Sequence, residues 1–390
     1  MNYRLKSLAL WGLFFLTGCT HFPSDESKKT SNAKASVMLE FEKDWVRPTT
    51  ASKDIGYRKN VRMSPLLLED RVIQGNGYDG IVAIHRQTGN ILWRIPVKGG
   101  VEGGATAIKD HLFFGGNDGL FYSISVSSGK VMWTMPVRAE TLAAPTISDG
   151  IVYFVTGNNI LHAVDAVEGK EVWLYSRVDS QNFSIRGSST PTIKNGVVVV
   201  GFSDGYLVAL DAKSGGVKWE TALNKNKRFR DLDSMPVIDG DRVYVTGYDS
   251  HLYCVNLMSG DLIWKTEPGG FGSVLISGDR LIYSSSTGEV ISIDKKNGST
   301  LWKYALKEGI ATTPVLYLDF VVIGESTGAM KALRLEDGMP AGSLNPGFGL
   351  FSPVTVDEGN NEFYFASNGA LLYKVKGKKK SEGKKDSWLF

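Results

Sequence analysis

The 390-residue chain contains 44 glycines and many short runs of Val, Ile, Tyr, Thr and Trp that are interrupted by Gly, Asn and Asp. This composition is typical of an all-β, turn-rich protein, and no helical period is present outside the N-terminus. The net charge is +3, but the first 18 residues carry +2 and residues 374–390 carry +5, which leaves −4 on the body between them. Such a body argues against nucleic-acid binding, which needs a basic surface on the folded domain.

The N-terminus has the features of an exported lipoprotein precursor. A basic start is followed by a short apolar stretch, which is too short to span a bilayer permanently. The sequence Leu-Thr-Gly-Cys at 16–19 resembles a bacterial lipobox, in which the chain is cut before the cysteine and the thiol is acylated. We therefore expect residues 1–18 to be a signal peptide, Cys19 to be lipidated, and 19–37 to form a flexible tether. The alternative is an ordinary secretory signal with a chance cysteine.

The residue after Cys19 bears on which membrane holds the anchor. It is Thr20, whereas Asp at this place commonly retains bacterial lipoproteins in the inner membrane. By this resemblance we expect anchoring in the outer membrane, on its periplasmic face. Several acyl chains would hold the protein firmly, because one chain alone binds only marginally.

An internal repeat of about 40 residues organises the rest of the chain. Tryptophans recur at spacings of 38 to 46 residues, and each lies four residues after a glycine; they are Trp93, Trp133, Trp173, Trp219, Trp264 and Trp302. Upstream of each glycine lies a hairpin pattern, as in Val197–Gly201 and Tyr206–Asp211 with Ser-Asp-Gly between them. Asp-Gly and Asn-Gly favour tight hairpins because both central residues tolerate positive φ. Each repeat therefore predicts four short strands, or one propeller blade, with its tryptophan wedged between neighbouring blades.

The repeat count predicts eight blades. In the seventh repeat the tryptophan position is Gly342, and a last hairpin ending near Lys376 has no outer strand. The segment 38–45 carries Trp45 without a preceding repeat, so we expect it to supply the missing strand. The prediction is an all-β, eight-bladed β-propeller of four-stranded antiparallel blades over 38–376. The N- and C-terminal strands would close the ring and remove the last sheet edges.

The motifs that suggest catalysis or metal binding have structural explanations. Two G-x-S-x-G matches, at 201–205 and 324–328, resemble a nucleophile elbow, but both fall at the same hairpin turn of two repeats. The five histidines show no metal-ligand spacing, and no P-loop is present. Cys254 lies in an apolar strand segment and is expected to be a small buried core residue. We therefore predict no catalytic residue, no metal site and no cofactor.

The tryptophan repeat resembles the pyrroloquinoline-quinone-type propeller family. Its enzyme members carry adjacent cysteines, a calcium site and a catalytic Asp, whereas this chain has no Cys-Cys pair. A closer likeness, from the lipobox to about Lys376, is to the BamB family of outer-membrane lipoproteins in the β-barrel assembly machinery. Phe-Ser-Ile-Arg-Gly at 183–187 is similar to the family's apolar-Ser-apolar-Arg-Gly run before Pro-Thr. Asp-Leu-Asp at 231–233 is similar to its Asp-x-Asp run before Pro-Val.

This resemblance implies a partner and a function. In the BamB family the two segments contact the POTRA domains of BamA, the barrel-bearing subunit. Carried over by position, the partner-binding residues are Phe183, Ile185, Arg186, Asp231 and Asp233, with Phe and Ile in place of the usual leucines. The implied function is a non-catalytic scaffold that assists insertion of β-barrel proteins into the outer membrane. Unfolded barrel proteins would be further clients, bound by strand addition.

The repeat spacing marks the same two places independently. From the tryptophan to the proline that opens the next blade there are 12 residues in two repeats, but 18 after Trp173 and 17 after Trp219. Both segments therefore lie in enlarged connections between consecutive blades, and these should emerge side by side. A third connection, after Trp45, spans 20 residues, so length alone does not choose among them.

Three alternatives stay open at this stage. Arg186 and Asp231 would either bind the partner or pair within the protein and stiffen the loops. The alternatives to an assembly scaffold are a periplasmic quinone-type enzyme and a cell-envelope propeller with a sugar or peptidoglycan ligand. The Lys-rich segment 377–390 is expected to be a solvated, disordered tail, or else to contact anionic lipid headgroups or peptidoglycan.

Overall fold

The computed structural model describes residues 37–51, 61–177, 189–224, 230–248 and 251–381. All regular secondary structure within these ranges is β-strand, arranged as eight four-stranded antiparallel sheets. No helix there is long and apolar enough to cross a membrane. Each sheet is one blade, and the predicted all-β, eight-bladed β-propeller is confirmed.

Seven blades consist of four consecutive strands. Blades 1 to 4 contain β2 (Leu66–Leu67), β3 (Arg71–Asn76), β4 (Gly80–His85), β5 (Ile91–Pro96); β6 (Ala105–Ile108), β7 (His111–Gly115), β8 (Leu120–Ser125), β9 (Val131–Pro136); β10 (Thr146–Ser148), β11 (Ile151–Thr156), β12 (Ile160–Asp165), β13 (Glu171–Ser176); β14 (Thr192–Lys194), β15 (Val197–Gly201), β16 (Tyr206–Asp211), β17 (Val217–Ala222). Blades 5 to 7 contain β18 (Val237–Asp239), β19 (Arg242–Thr246), β20 (Leu252–Asn256), β21 (Leu262–Thr266); β22 (Leu275–Ser277), β23 (Arg280–Ser284), β24 (Glu289–Asp294), β25 (Thr300–Ala305); β26 (Val315–Tyr317), β27 (Phe320–Gly324), β28 (Met330–Arg334), β29 (Pro340–Leu344).

Blade 8 joins the two ends of the described chain. Its strands, from the inside outward, are β30 (Thr355–Asp357), β31 (Glu362–Ser367), β32 (Leu371–Ser381) and β1 (Val37–Pro48). The ring is thus closed by N- and C-terminal strands, as predicted. Because β32 keeps pairing with β1 as far as Ser381, the domain boundary expected at Lys376 lies inside this strand. Residues 1–36 and 382–390, which include the expected signal peptide and most of the tether, lie outside the described ranges.

The strand directions separate the loops onto two faces. The first strands of neighbouring blades contact one another, so they lie nearest the axis. Because successive strands are antiparallel, one face carries the eight inter-blade connections and the turns between second and third strands. We call it the connection face; its connections are 49–65, 97–104, 137–145, 177–191, 223–236, 267–274, 306–314 and 345–354. We call the opposite face the turn face; it carries the turns between first and second strands and between third and fourth strands.

Tryptophan joins most blades to the next one, although blade 7 has Gly342 at this position. Six indole Nε1–H groups donate to a backbone carbonyl of the following blade at 2.8–3.2 Å; they belong to Trp45, Trp93, Trp133, Trp173, Trp219 and Trp302. The glycine of the repeat receives the ring: a Cβ at Gly169 would lie 2.6 Å from Trp133, and one at Gly338 would lie 2.5 Å from Trp302. These glycines also have positive φ. The recurring Gly and Trp are therefore two halves of one inter-blade contact.

Candidate partner-binding face

The strand bounds show which connections are enlarged. Connections 177–191 and 223–236 have 15 and 14 residues and 49–65 has 17, against 8 to 10 in the other five. The first joins blades 3 and 4, and the second joins blades 4 and 5, so they leave the connection face at neighbouring positions. Connection 49–65 joins blades 8 and 1, on the far side of the ring. Position as well as length therefore distinguishes the pair that the resemblance selected.

The described ends of these two connections touch each other. Ser189 Oγ donates to the carbonyl oxygen of Ser234 at 2.8 Å, and Gly201 N–H donates to Ser189 Oγ at 3.3 Å. Ser234 Oγ in turn accepts from Thr246 N–H at 2.9 Å. All three hydroxyl-bearing side chains are buried. The returning ends of both connections are therefore fixed to one another and to the blades beneath them.

A buried leucine fixes the acidic segment. Leu232 is fully buried, and its N–H donates to Phe202 O at 3.2 Å. Its carbonyl oxygen approaches β15 so closely that a Cβ at Gly201 would lie 2.2 Å away. This contact explains the first glycine of the G-x-S-x-G match at 201–205, which lies in the hairpin between β15 and β16. The match is part of the scaffold, and no nucleophile elbow is formed.

Asp231 and Asp233 flank this leucine. Asp231 is fully buried and Asp233 is partly exposed. Burial, together with the negative charge of Asp231, raises the pKa of the Asp233 carboxyl well above its ordinary value, while Arg62 from connection 49–65 acts in the opposite direction. A positively charged or donating group from a partner would be favoured beside these carboxylates. Of the two carboxyl groups, that of Asp233 is accessible at the connection face, whereas that of Asp231 is covered.

The other expected site residues fall outside the structural description. Phe183, Ile185 and Arg186 belong to 178–188, and Cys19 belongs to 1–36; neither range is described. Cys254 in β20 is fully buried, as expected of a core residue. In the described ranges no group of three or more His, Cys, Asp and Glu is arranged to hold a metal ion.

Arg177, at the start of connection 177–191, was not singled out by the sequence reasoning. Its Nε lies 2.7 Å from Asp204 Oδ2 and its Nη1 lies 3.0 Å from Glu220 Oε2. The guanidinium also stands 4.1 Å from the centre of the Tyr206 ring. Burial, followed by the hydrogen bond to Glu220, raises the pKa of Tyr175 to about 12. In the sequence the signal is a charged residue four positions after Trp173, where Trp93, Trp133, Trp219 and Trp302 are followed by Val or Leu.

Comparisons with known proteins agree on one family. The family model described as outer membrane protein assembly factor BamB matches residues 77–304. The protein of that name from Escherichia coli (strain K12) is 31% identical, covering 86% of this chain and 90% of the relative. The crystal structure of BamB from Moraxella catarrhalis matches with a TM-score of 0.74 at 20% identity, covering 86% of this chain and 99% of the other.

A second structural likeness concerns the fold alone. Quinohemoprotein alcohol dehydrogenase from Comamonas testosteroni matches with a TM-score of 0.71 at 12% identity, covering 86% of this chain and 76% of that enzyme. Eight-bladed propellers thus serve both as enzymes and as assembly factors, and fold does not decide between them. The sequence match identifies the family, and the chain belongs to the outer membrane protein assembly factor BamB family.

Proposed function

We propose that this protein is a non-catalytic, lipid-anchored scaffold of the outer-membrane β-barrel assembly machinery, which binds the POTRA domains of BamA through its connection face. Family membership supports the role in outer-membrane protein assembly. The observation that carries the binding site is the contact between the two enlarged connections, made by Ser189 and Ser234 at 2.8 Å. Enlarged loops held on a rigid scaffold commonly carry binding residues.

The proposed site combines apolar anchors with charged groups. Phe183 and Ile185 would fill apolar clefts of the partner, and the planar fork of Arg186 would bond a partner carboxylate at two points. Asp231 and Asp233 would orient Arg186 or accept donors from the partner. Pairing of Arg186 with Asp231 inside the protein is compatible with this scheme, because a carboxylate that orients the guanidinium also prepares it for binding.

The start of β1 and the proposed site lie at opposite ends of the propeller. β1 begins at Val37, which pairs with Ser381, and ends at Pro48, which pairs with Leu371 beside the connection face. The tether from Cys19 would therefore reach the propeller at the turn-face end and leave the connection face open to the partner. Mass spectrometry of the purified wild-type protein should find acyl chains on an N-terminal Cys19, and a Cys19→Ser variant should carry none; an unmodified Cys19 in the wild type would contradict the lipid anchor.

Affinity measurements on the purified protein test the binding site. Arg186→Ala and Asp233→Ala should each weaken binding to purified POTRA domains of the cognate BamA by at least about tenfold, as expected of interface hot spots. Asp279→Ala is the matched control, because Asp279 is an exposed carboxylate in the turn between β22 and β23, on the opposite face. Wild-type affinity in both site variants would overturn the proposed site. No binding by the wild-type protein would overturn the proposed partner.

A further inference from the structure

The outer strand of every blade contains a β-bulge at the same place. Across the described chain, each outer strand has one extra residue relative to the strand that it pairs with, directly before the tryptophan position. In blade 6, for example, Ile293 pairs with Thr300 and Ser292 pairs with Trp302, so Leu301 is left over between them. The eight extra residues are Asp44, Leu92, Met132, Val172, Lys218, Ile263, Leu301 and Ala341.

These outer strands are also the free edges of the sheets. Within the described ranges, each of them has a hydrogen-bonded strand neighbour on one side only. A free edge is a template for the strand of another chain, and exposed apolar side chains make such pairing more favourable. Five of the extra residues are apolar and 42–50% exposed; they are Leu92, Met132, Val172, Ile263 and Leu301. A regular edge with these side chains would be open to pairing with other chains.

Orientation of the tryptophan does not by itself explain the bulge. A bulge re-aims the side chain beside it, and in seven outer strands the following residue is a tryptophan. Blade 7 separates the two explanations, because Gly342 stands at this position and the bulge at Ala341 is nevertheless present. The bulge therefore persists where there is no ring to place. The feature that all eight outer strands share is the free edge.

Other features restrict the same edges. Proline has no N–H to donate to an added strand, and it ends three outer strands and begins a fourth, at Pro48, Pro96, Pro136 and Pro340. The long unbulged stretch 37–43 of β1 is closed in another way. The carbonyl oxygen of Leu39 lies against β29, where it would be 2.0 Å from a Cβ at Gly342. Glu40 and Glu42 on this stretch are exposed, and charged side chains disfavour pairing at an edge.

We infer that the repeated bulge is a device that closes the rim of the propeller to added strands. An added strand bonds to regularly spaced N–H and C=O groups, and the extra residue interrupts this spacing. The rim then exposes apolar side chains without pairing to other copies of the chain. The protection suits the proposed function, because unfolded β-barrel chains offer strands to any open edge. Strand addition by such chains, expected from the family resemblance, would therefore not occur at the rim.

Deletion of Leu301 tests the inference because it removes the bulge and an exposed apolar side chain together. The pairs on either side, Ile293 with Thr300 and Ser292 with Trp302, then follow one another as in a regular ladder. Leu301→Ser is the matched control, since it removes the same side chain and keeps the bulge. The probe is a labelled peptide with the sequence Glu-Val-Ile-Ser-Ile-Asp of β24, the strand that already pairs with β25. A second peptide with proline in place of the serine lacks one backbone donor.

Sedimentation equilibrium and fluorescence anisotropy of the labelled peptides compare the purified full-length proteins. The wild type and Leu301→Ser should sediment with the same mass and bind neither peptide. The deletion variant should self-associate, or bind the β24 peptide at least about tenfold more tightly than the proline peptide. Binding of the β24 peptide by the wild type, in preference to the proline peptide, would overturn the inference.

The remaining outcomes also decide the matter. A folded deletion variant that keeps the wild-type mass and binds neither peptide would show that the bulge does not close the edge. Equal binding by Leu301→Ser would assign the effect to the side chain and reject the inference. If the deletion variant does not fold, deletion of Ile263, the extra residue of β21, is tested in the same assay. Failure of both variants to fold would show that the bulge serves blade packing instead, and the inference would fall. The proposed partner is unaffected, since no outer-strand residue belongs to the proposed site.

Discussion

Asp233 is a charged residue whose surroundings disfavour its charge. Burial and the neighbouring carboxylate of Asp231 raise its pKa, and Arg62 acts in the opposite direction. A carboxylate held in this way makes folding less favourable near neutral pH, so selection for fold stability alone would replace it. Strongly shifted groups concentrate at functional positions, and this one lies in a proposed binding segment.

Replacing Asp233 with Asn is expected to stabilise the fold near neutral pH. A carboxyl with a raised folded-state pKa contributes stability below its unfolded pKa, and that contribution is lost as the pH rises through the folded pKa. At about pH 7 the Asn variant should therefore melt about 2 °C or more above the wild type. The gain should disappear below about pH 4, where both states are protonated. Thermal unfolding at both pH values measures the difference.

Asp357 serves as a control because its pKa is shifted in the opposite direction to that of Asp233. The hydrogen bond from Asn360, followed by the interaction with Arg86, lowers the pKa of Asp357 although burial opposes them. Its stabilising contribution is present above the unfolded pKa and lost as the pH falls through the folded one. Asp357→Asn should therefore melt below the wild type near neutral pH. A lower melting temperature for Asp233→Asn at the same pH would contradict the interpretation of Asp233.

At the scale of elements, β1 takes the place of the tryptophan side chain that blade 7 lacks. Gly342 in β29 occupies the tryptophan position of blade 7. A Cβ there would lie 2.0 Å from the carbonyl oxygen of Leu39 and 3.4 Å from Phe41. Leu39 is buried in the cluster that joins blades 7 and 8. The N-terminal half of β1 therefore fills space beside blade 7, and the seventh repeat cannot also hold a tryptophan.

Gly342→Ala should destabilise the protein because the new Cβ would meet backbone rather than a flexible side chain. The free energy of unfolding should fall by about 2 kcal/mol, as in other overpacked interiors. Urea denaturation measures this change. Gly359→Ala is the control, because its Cβ would meet Asp357 Oδ1 at an ordinary van der Waals distance of 3.5 Å. Equal stability of the two variants would contradict the close packing of β1 on β29.

At the scale of the whole molecule, buried charges join the ends of the chain. Lys374 is 1% exposed, and its Nζ lies 2.8 Å from Glu362 Oε1 and 3.0 Å from Asp44 Oδ2. Glu362 Oε2 also lies 3.2 Å from Arg86 Nη2 in blade 1. Trp45 Nε1 donates to the carbonyl of the same arginine at 2.9 Å. One network thus links β1, blade 8 and blade 1 at the place where the ring closes.

Lys374→Met should lower the free energy of unfolding by about 3 kcal/mol, since it leaves the Glu362 carboxylate buried without its ammonium partner. Urea denaturation followed by tryptophan fluorescence provides the measurement. Lys378→Met on the same strand is the matched control, because Lys378 is exposed and its replacement should change stability by less than about 0.5 kcal/mol. Equal effects of the two substitutions would show that the network does not secure the ring.

The sequence by itself determined the propeller, its eight blades and the closure by both termini. Those conclusions depend on turn residues, on strand alternation and on a Gly-to-Trp spacing of four that occurs six times, all of which are local patterns. Family resemblance then selected the segments that contain Arg186 and Asp233, and the roles of their side chains stay predictions.

Only the tertiary structure decided why particular residues depart from the repeat. The partner of Arg177 is Asp204, 27 residues away, and the obstacle to a side chain at Gly342 is the start of the chain. The shifted pKa of Asp233 likewise depends on burial between blades and on Arg62 from across the ring. Burial, close approach and electrostatic surroundings arise from chain segments that meet after folding, so no local pattern in the sequence could reveal them.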